Sequence, residues 1–138
     1  MADTLKLEIV TPESIIYSED VEMVTLPGSE GEAGIYPNHV PLMTRVQAGE
    51  IIVNRGGTEE VVAIGEGFAE ITGDHIAILT DNAANSSDID EAAAEEARAK
   101  AEQRLEEGGD ISEEEAKALT QAILYSQAQI KAKRRNRG

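Results

Sequence analysis

Residues 26–42 read LPGSEGEAGIYPNHVPL, a stretch rich in proline and glycine. It holds three of the four prolines in the chain, and glycines recur at every third position from 28 to 34. Because proline fixes φ and glycine permits φ > 0, the stretch predicts a stiff, sharply folded loop. Glu30 and Glu32 make the tip of this loop acidic. A rigid, charged loop of this kind is commonly a contact surface.

The same stretch admits two other interpretations. Its glycine spacing superficially resembles a phosphate-binding loop, but neither a Lys-Ser/Thr pair nor a helical pattern follows it. Two carboxylates also stand where a phosphate would bind, so the composition argues against a nucleotide loop. An acidic, solvent-exposed turn between two strands explains the residues equally well, and that alternative stays open on the stretch alone.

Residues 4–82 carry the pattern of short strands separated by turns. Leu5, Leu7 and Ile9 alternate with other residues, and this period of two predicts a strand with one buried face. Similar apolar runs recur along the segment, with tight-turn sequences at residues 54–57 and 73–74. About eight to ten strands with no helix between them are typical of a β-sandwich or a flattened barrel. Because the chain has one Phe and no Trp, we expect an aliphatic core.

A polar linker at residues 82–87 separates the strands from a helical pattern. We predict a first helix from about Ile89 to Glu106, with Ser87 or Asp88 as its N-cap. Apolar residues recur on one face of this helix at positions i, i+3, i+7 and i+11, namely Ala94, Ala97, Ala101 and Leu105.

A second helix follows the glycine-containing break at residues 107–110. Ser112 and Glu115 form a capping box, and the helix should run to about Arg134. Its apolar stripe is formed by Leu119, Ile123 and Ile130, with Ala116 alongside. The predicted architecture is therefore β + α: an N-terminal β-sandwich of about ten strands in residues 1–85, followed by an antiparallel α-helical hairpin in residues 86–138.

The predicted hairpin is weakly built, because its first helix offers mostly alanine to the seam. Alanine contributes far less than leucine on burial, at about 25 cal/mol per Å² of apolar surface. Isolated helices of this length are marginal without strong packing. We therefore expect an element that can exchange between two arrangements separated by a few kcal/mol.

Composition and charge exclude several classes of protein. The chain has 138 residues, no cysteine and a net charge of −15, which argues against nucleic-acid binding and against disulfide scaffolding. No signal peptide and no apolar run of about 20 residues is visible, so we expect membrane association only through partners. Residues 1–86 carry 15 acidic and 3 basic groups, whereas the last eight residues carry a cluster of cations. An acidic body with a basic tip predicts two different electrostatic partners.

Several motifs, in order and at matching spacing, carry a family resemblance over essentially the whole chain. They are the stretch at 26–42, Gly65-Glu66-Gly67-Phe68-Ala69-Glu70-Ile71, Ile78-Leu79-Thr80-Asp81-Asn82-Ala83, an Asp88-Ile89-Asp90 helix start and a two-helix tail. Together they resemble the ε subunit of rotary F-type ATP synthases from bacteria.

This resemblance implies a non-catalytic subunit of the central stalk, the rotor of the enzyme. The sandwich would join the γ subunit to the membrane-embedded c-ring, at the cytoplasmic face of the bacterial inner membrane, and so couple proton or sodium transport to ATP synthesis. The stretch at 26–42 would touch the polar loops of the c-ring, with Glu32 as the first candidate contact, followed by His39 and Glu30. The catalytic α/β head would be the third partner.

The resemblance also implies that the helical tail inhibits ATP hydrolysis by extending into the catalytic head. Its basic residues would then face an acidic loop of the β subunits. The candidate contacts are Lys131, Lys133, Arg134, Arg135 and Arg137. A charge cluster that ends a chain is also commonly just solvated, and this alternative stays open.

Some members of the family bind ATP on the folded hairpin through a motif Ile/Leu-Asp-x-x-Arg-Ala. Ile89, Asp90 and Ala94 match this motif, but the arginine position is occupied by Ala93. Alanine at this position lacks the guanidinium group of arginine, which can form two hydrogen bonds to a phosphate. We therefore predict weak or absent ATP binding at Ile89 and Asp90, and no resident cofactor.

Two rival classes of function remain beside the rotor subunit. His39 and His75 are the only histidines, and with no cysteine they assemble neither a metal site nor a catalytic set. An enzyme is therefore disfavoured, because no pattern brings titratable groups together. The leading rival is a plain interaction module, a β-sandwich adaptor with a helical tail and no rotary partner.

Overall fold

The buried faces of the strands follow the predicted alternation, beginning with Leu5, Leu7 and Ile9 in the first strand. The computed structural model describes residues 4–28, 31–37 and 39–137. The strands in this part of the chain are β1 Leu5–Val10, β2 Ile15–Val21, β3 Met23–Gly28, β4 Gly31–Ile35, β5 His39–Val46, β6 Gly49–Arg55, β7 Thr58–Ile64, β8 Gly67–Gly73, β9 His75–Thr80 and β10 Ala83–Asn85. A 3₁₀ turn at Ser86–Asp88 leads into α1, Glu91–Glu107, and α2, Glu113–Arg137.

The ten strands form two five-stranded sheets that enclose one core. Sheet one has the order β2-β1-β9-β8-β5, and sheet two has the order β10-β7-β6-β3-β4. Only the β1–β9 pair is parallel among the described pairings. The core between the sheets consists of Leu, Ile and Val side chains with Ala69 and Tyr17. The predicted β-sandwich followed by a helical hairpin is confirmed, and so is the largely aliphatic core.

The predicted tight turns are confirmed by glycines with positive φ. Gly56 and Gly57 have φ of 57° and 80° between β6 and β7, and Gly73 has φ of 55° between β8 and β9. L-residues with a side chain rarely adopt these angles. The turns therefore fix the register of two hairpins, in which Arg55 faces Thr58 and Thr72 faces His75.

The stretch at 26–42 is not a loop, as its prolines and glycines predicted, but mostly strand. Pro27 faces Glu32, and Gly28 faces Gly31, so β3 and β4 form a hairpin. Proline is tolerated here because the pairing of β3 with β6 ends at Thr25, and Pro27 has no ladder bond to donate on that side. The chain then crosses to sheet one, where β5 pairs with β8.

The start of α1 differs from the prediction by a few residues. Ser86–Asp88 form the 3₁₀ turn, and Asp90 is the N-cap: its Oδ1 accepts a hydrogen bond of 3.2 Å from the Ala93 N–H. Ser87 and Asp88 are therefore not the caps. The predicted cap of α2 is confirmed, because the Glu115 N–H donates to the Ser112 Oγ at 3.0 Å.

The helical hairpin has a seam of small residues, and α2 also covers sheet two. Ala94 and Ala101 are buried, but Ala97 is exposed, so its predicted place in the seam is wrong. The buried face of α1 continues from Ala94 to the residue four positions later, the half-buried Arg98, and not to Ala97. On the other side, Ala128 and Ala132 pack against strand β7 and Ile89. In α2, Ile130 is buried as predicted, whereas Leu119 and Ile123 are only half-buried.

Candidate functional site

One end of the sandwich is formed by the β3–β4 hairpin and the β5–β6 turn, and we call this end the foot. Its described residues are Pro27, Gly28, Gly31, Glu32 and 47–49. The Gln47 N–H donates a hydrogen bond of 3.2 Å to the Pro27 oxygen and ties the turn to the hairpin. A Cβ added to Gly49 would lie only 3.0 Å from the Pro27 Cβ, so the turn and the hairpin are in tight contact at this glycine.

Of the three predicted c-ring contacts, the structure describes Glu32 and the backbone of His39, and it places them at opposite ends of the sandwich. Glu32 is exposed and lies at the foot, opposite Pro27. Glu30 lies outside the described residues. His39 begins β5 opposite Gly73, and the eight residues of β5 lead back to the foot only at Val46. At about 3.3 Å per residue this is a separation of roughly 23 Å, so the backbone of His39 lies at the end of the sandwich away from the foot.

The predicted inhibitory cations lie at the end of α2, and two of them already have acidic partners within the chain. Arg134 pairs with Glu91 at 3.0 Å and with Glu95 at 3.1 Å, which links α2 to α1. Arg135 pairs with Glu50 of β6 at 2.9 Å, which links α2 to the sandwich. Lys133 is half-buried, and the side chain of Arg137 lies outside the described part of the chain.

The pair formed by Arg135 and Glu50 differs from the other ion pairs in its burial. The Glu50 side chain is 8 % exposed, whereas the Arg135 side chain is 41 % exposed. The hydrogen bond to Glu50 and the Glu50 charge raise the pKa of Arg135, with smaller contributions from Glu59 and Glu32. Lys131 lies close by, in a cleft of about 220 Å³ that it shares with Glu32 and Glu50. The tail therefore ends beside the foot.

The residues that resemble an ATP-binding motif serve the fold in this structure. Ile89 is buried at 5 % exposure against sheet two, and Asp90 caps α1. Ala93 is exposed and offers no cation. The basic side chains around the start of α1 are engaged within the hairpin: Arg134 pairs with Glu91 at 3.0 Å, Arg98 lies 4.0 Å from Glu102, and Lys100 pairs with Glu96 at 3.0 Å.

Sheet one presents an apolar surface that the sequence interpretation missed. The registers place Ile15 opposite Val10, Val10 opposite Leu79, and Leu79 opposite Phe68, so these four residues form a row across β2, β1, β9 and β8. We call them the apolar row. Ile15 is 62 %, Leu79 52 % and Phe68 48 % exposed. In the sequence, Phe68 could have indicated this surface: it is a large apolar residue that alternates with Ala69 and Ile71, which are buried, and so it falls on the solvent face.

The apolar row continues into a cleft with mixed charge. The Arg45 guanidinium carbon lies 5.6 Å from the centre of the Phe68 ring, in a cation–π arrangement at the end of the row. The cleft has a volume of about 430 Å³, and Glu66 and Asp81 contribute its carboxylates. Exposed apolar surface rimmed by charge is typical of a protein-binding site.

The remaining titratable clusters support the fold. The Tyr17 hydroxyl donates to the Glu60 Oε1 at 2.6 Å, and Arg55 pairs with Glu19 at 3.0 Å. His75 Nε2 lies 2.8 Å from Glu8 Oε1 across the β1–β9 pair. Within the described residues, no three His, Cys, Asp or Glu side chains are grouped so that they could hold a metal ion. Over the same part of the chain, no helix is both long and apolar enough to span a bilayer.

The sandwich has a counterpart in a known family. The family model described as "ATP synthase, Delta/Epsilon chain, beta-sandwich domain" matches residues 4–86. The chain belongs to the ATP synthase epsilon chain family. An ATP synthase epsilon chain from Desulforamulus reducens is 42 % identical over 109 residues, which cover 79 % of this chain and 83 % of the relative. One from Laribacter hongkongensis is 40 % identical over 131 residues, which cover 94 % of this chain and 92 % of the relative, so the similarity to epsilon chains extends into the helices.

Solved structures show the same fold at lower identity. A chain of the Euglena gracilis mitochondrial ATP synthase, solved as OSCP, F1 and c-ring in rotational state 1, matches with a TM-score of 0.76. The match covers 96 % of this chain and 82 % of that chain, at 21 % identity. This chain therefore shares its overall fold with that chain at low sequence identity.

Proposed function

We propose that the chain is a non-catalytic rotor subunit that joins the γ subunit to the c-ring of an F-type ATP synthase. The observation that carries this proposal is that the sandwich offers two separate contact surfaces, while its third large surface is already covered. The foot carries the exposed Glu32, sheet one carries the apolar row, and α2 covers the outer face of sheet two. A connector between two partners needs such an arrangement. Membership of the epsilon chain family supports it.

The foot is the surface that we assign to the c-ring. Glu32 is exposed there on a hairpin whose backbone is tied to the β5–β6 turn, so its carboxylate is held on a stiff support. A charged group on a rigid base can hydrogen-bond to polar loops of a partner without much loss of conformational entropy. His39 begins β5 at the other end of the sandwich, so we leave it out of the proposed ring contact.

The apolar row is the surface that we assign to the γ subunit. The outer face of sheet two is not available while α2 covers β6 and β7, whereas the outer face of sheet one is open. Phe68, Leu79 and Ile15 provide the apolar anchors that fill pockets in stable interfaces, and Arg45 provides a cation at the rim. The rotor contact would be permanent, which favours such an apolar interface.

The helical hairpin is proposed to act as a brake on ATP hydrolysis. Its alanine seam buries little apolar surface, which keeps the difference in free energy between folded and extended arrangements small. The cations at the end of α2 give an extended hairpin the correct charge for an acidic loop of the catalytic head. The brake is then a population shift between two arrangements, each stabilised by different contacts.

The test is ATP hydrolysis and proton pumping by the assembled complex, with the full chain and with a chain that ends at Ser87. We expect truncation to raise hydrolysis while pumping stays coupled. Because truncation also uncovers Ile52, Val61 and Ala63, a second variant should keep both helices and replace the five tail cations by glutamine. If neither change raises hydrolysis, the brake is wrong. If the full chain fails to join the complex, the connector is wrong and a plain adaptor module is favoured.

ATP binding to the hairpin provides a separate prediction. Ala93 lacks the cation of the family motif, and Asp90 is engaged as a helix cap, so ATP at millimolar concentration should leave hydrogen exchange in α1 and α2 unchanged. The substitution Ala93→Arg restores the motif and should introduce protection by ATP. The matched control is Ala92→Arg, which places the same cation one position earlier. Protection of the unmodified chain by ATP would contradict this prediction.

A further inference from the structure

We propose that the Arg135–Glu50 ion pair is a latch that holds the folded hairpin on the sandwich. The inference rests on the proposed function, in which the hairpin exchanges between folded and extended arrangements. It adds the contact that sets the balance between them. It also assigns separate tasks to two neighbouring arginines of the tail.

The burial of Glu50 gives the pair its role. Glu50 lies on the outer face of β6, beneath α2, with its side chain only 8 % exposed. A carboxylate removed from water is costly unless a counter-ion is hydrogen-bonded to it, and Arg135 provides this at 2.9 Å. When α2 leaves the sheet, Glu50 returns to water and needs no partner. The pair therefore matters in the folded arrangement alone.

The neighbouring arginine performs a different task. Arg134 binds Glu91 and Glu95, so it connects α2 to α1 within the hairpin. Arg135 connects α2 to the sandwich. The removal of Glu50 should therefore release the hairpin from the sheet without separating the two helices. The removal of Glu95 should loosen the helices from each other.

The latch lies beside the proposed ring contact. Lys131, one turn before Arg135, lines the same cleft as Glu32 and Glu50. The cations of the tail thus stand next to the acids of the foot when the hairpin is folded. The same cations cannot then face the catalytic head, so latch and brake exclude each other. A change at the foot that draws Glu32 away would weaken the attraction that holds the tail.

Hydrogen exchange on the full-length chain tests the latch directly. The variants are Glu50→Gln, Arg135→Gln and the double variant, compared at low and high salt. We expect each single variant to speed exchange of the 126–132 amides by on the order of tenfold, as expected for a half-buried charged hydrogen bond. The double variant should exchange no faster than the faster single variant, because both remove one interaction. Exchange in β1 and β8 should not change, which separates release of the hairpin from unfolding.

The matched control is Glu13→Gln, which removes the same charge from an exposed turn between β1 and β2. It should leave α2 exchange as it is. Two results would overturn the latch: exchange in Glu50→Gln equal to that of the unmodified chain, or a double variant whose effect is the product of the two single effects.

Hydrolysis by the assembled complex separates the latch from the brake. Glu50→Gln should lower ATP hydrolysis, because it frees the hairpin and keeps every cation of the tail. Arg135→Gln should lower it less, since it frees the hairpin but removes one proposed contact to the head. If exchange changes as expected and hydrolysis does not, the latch stands and the proposed brake fails.

Discussion

At the scale of single residues, Gly67 controls how closely two strands approach. It begins β8 opposite Thr80, and a Cβ at this position would collide with the backbone oxygen of Leu79. Real Cβ atoms do not occupy such positions, and the obstacle is backbone, which cannot rotate aside. The absence of a side chain at Gly67 therefore sets the geometry at one end of the β8–β9 pair, next to the apolar row.

The substitution Gly67→Ala should consequently destabilise the sandwich, by about 1–3 kcal/mol as for other overpacked positions. Urea unfolding at neutral pH measures this loss. The control is Gly34→Ala, where the nearest atoms to the new Cβ, Met23 Sδ and Tyr36 Cε2, lie at 3.8 Å. An equal loss of stability in both variants would contradict the steric explanation.

Tyr17 provides a prediction about pH. Burial and the hydrogen bond to Glu60 raise the pKa of Tyr17 above its ordinary value of 10.0. The folded state therefore holds this proton more tightly than the unfolded state. The resulting stability is complete below about pH 10 and is lost as the pH rises above that value.

Replacement of this residue by phenylalanine, Tyr17→Phe, should cost about 1.5 kcal/mol at pH 7, the usual size for a hydrogen bond to a charged group. Between about pH 10 and pH 12 the difference from the unmodified chain should shrink, because that chain loses the Tyr17 contribution. Urea unfolding at a series of pH values measures both effects. A difference that stays constant up to pH 12 would contradict the prediction.

At the scale of elements, the helical hairpin is held by a narrow seam. Ala101 is 7 % exposed, whereas Ala97, one turn earlier, faces solvent. Small residues allow the two helices to approach closely, but they bury little apolar area. The hairpin can therefore open without loss of the sandwich, whose core is separate.

A bulkier residue in this seam should open the hairpin. Ala101→Leu is expected to push α1 away from α2 and to speed hydrogen exchange in both helices about tenfold or more, in line with the cost of overpacking. Ala97→Leu introduces the same side chain on the exposed face and should change little. Exchange that is equally fast in both variants would show that the substitution acts through something other than the seam.

At the scale of the whole molecule, the sandwich has one covered face and one open face. The helix α2 packs on sheet two, and the apolar row lies uncovered on sheet one. A contiguous patch of large apolar side chains on a protein surface usually marks a contact site. The two faces of the sandwich therefore differ: the proposed γ contact lies on sheet one, and the hairpin lies on sheet two.

The substitution Leu79→Asp should weaken assembly with a γ subunit and leave the isolated chain folded. A charge in the middle of an apolar interface should cost at least about tenfold in affinity, whereas an exposed position changes stability by about 0.5 kcal/mol or less. The control Thr72→Asp places the same charge on an exposed residue at the far end of β8. Titration calorimetry with γ measures the affinities. Equal binding of γ by both variants would show that the apolar row is not the surface that binds γ.

Much of this architecture was predictable because local patterns decide it. Alternation in β1, glycine turns at residues 56–57 and 73, and the Ser112 cap of α2 depend on neighbours in sequence. The stretch at 26–42 was predicted wrongly, since strand pairing overrode the preferences of its prolines and glycines: β3 pairs with the adjacent β4, and β5 pairs with the distant β8. Ala97 was placed on the wrong side of α1, because the packing of α2 decides which side of α1 is buried.

The sequence by itself determined the class of fold, the membership of the epsilon chain family and the presence of an acidic body with a basic tip. These follow from the spacing and order of residues along the chain. The tertiary structure alone decided which of them meet: Glu32 at the foot, His39 far from it, Arg135 on Glu50, and the apolar row on the open sheet. Each depends on residues distant in sequence, brought together by strand register and by the path of α2, which no local preference encodes.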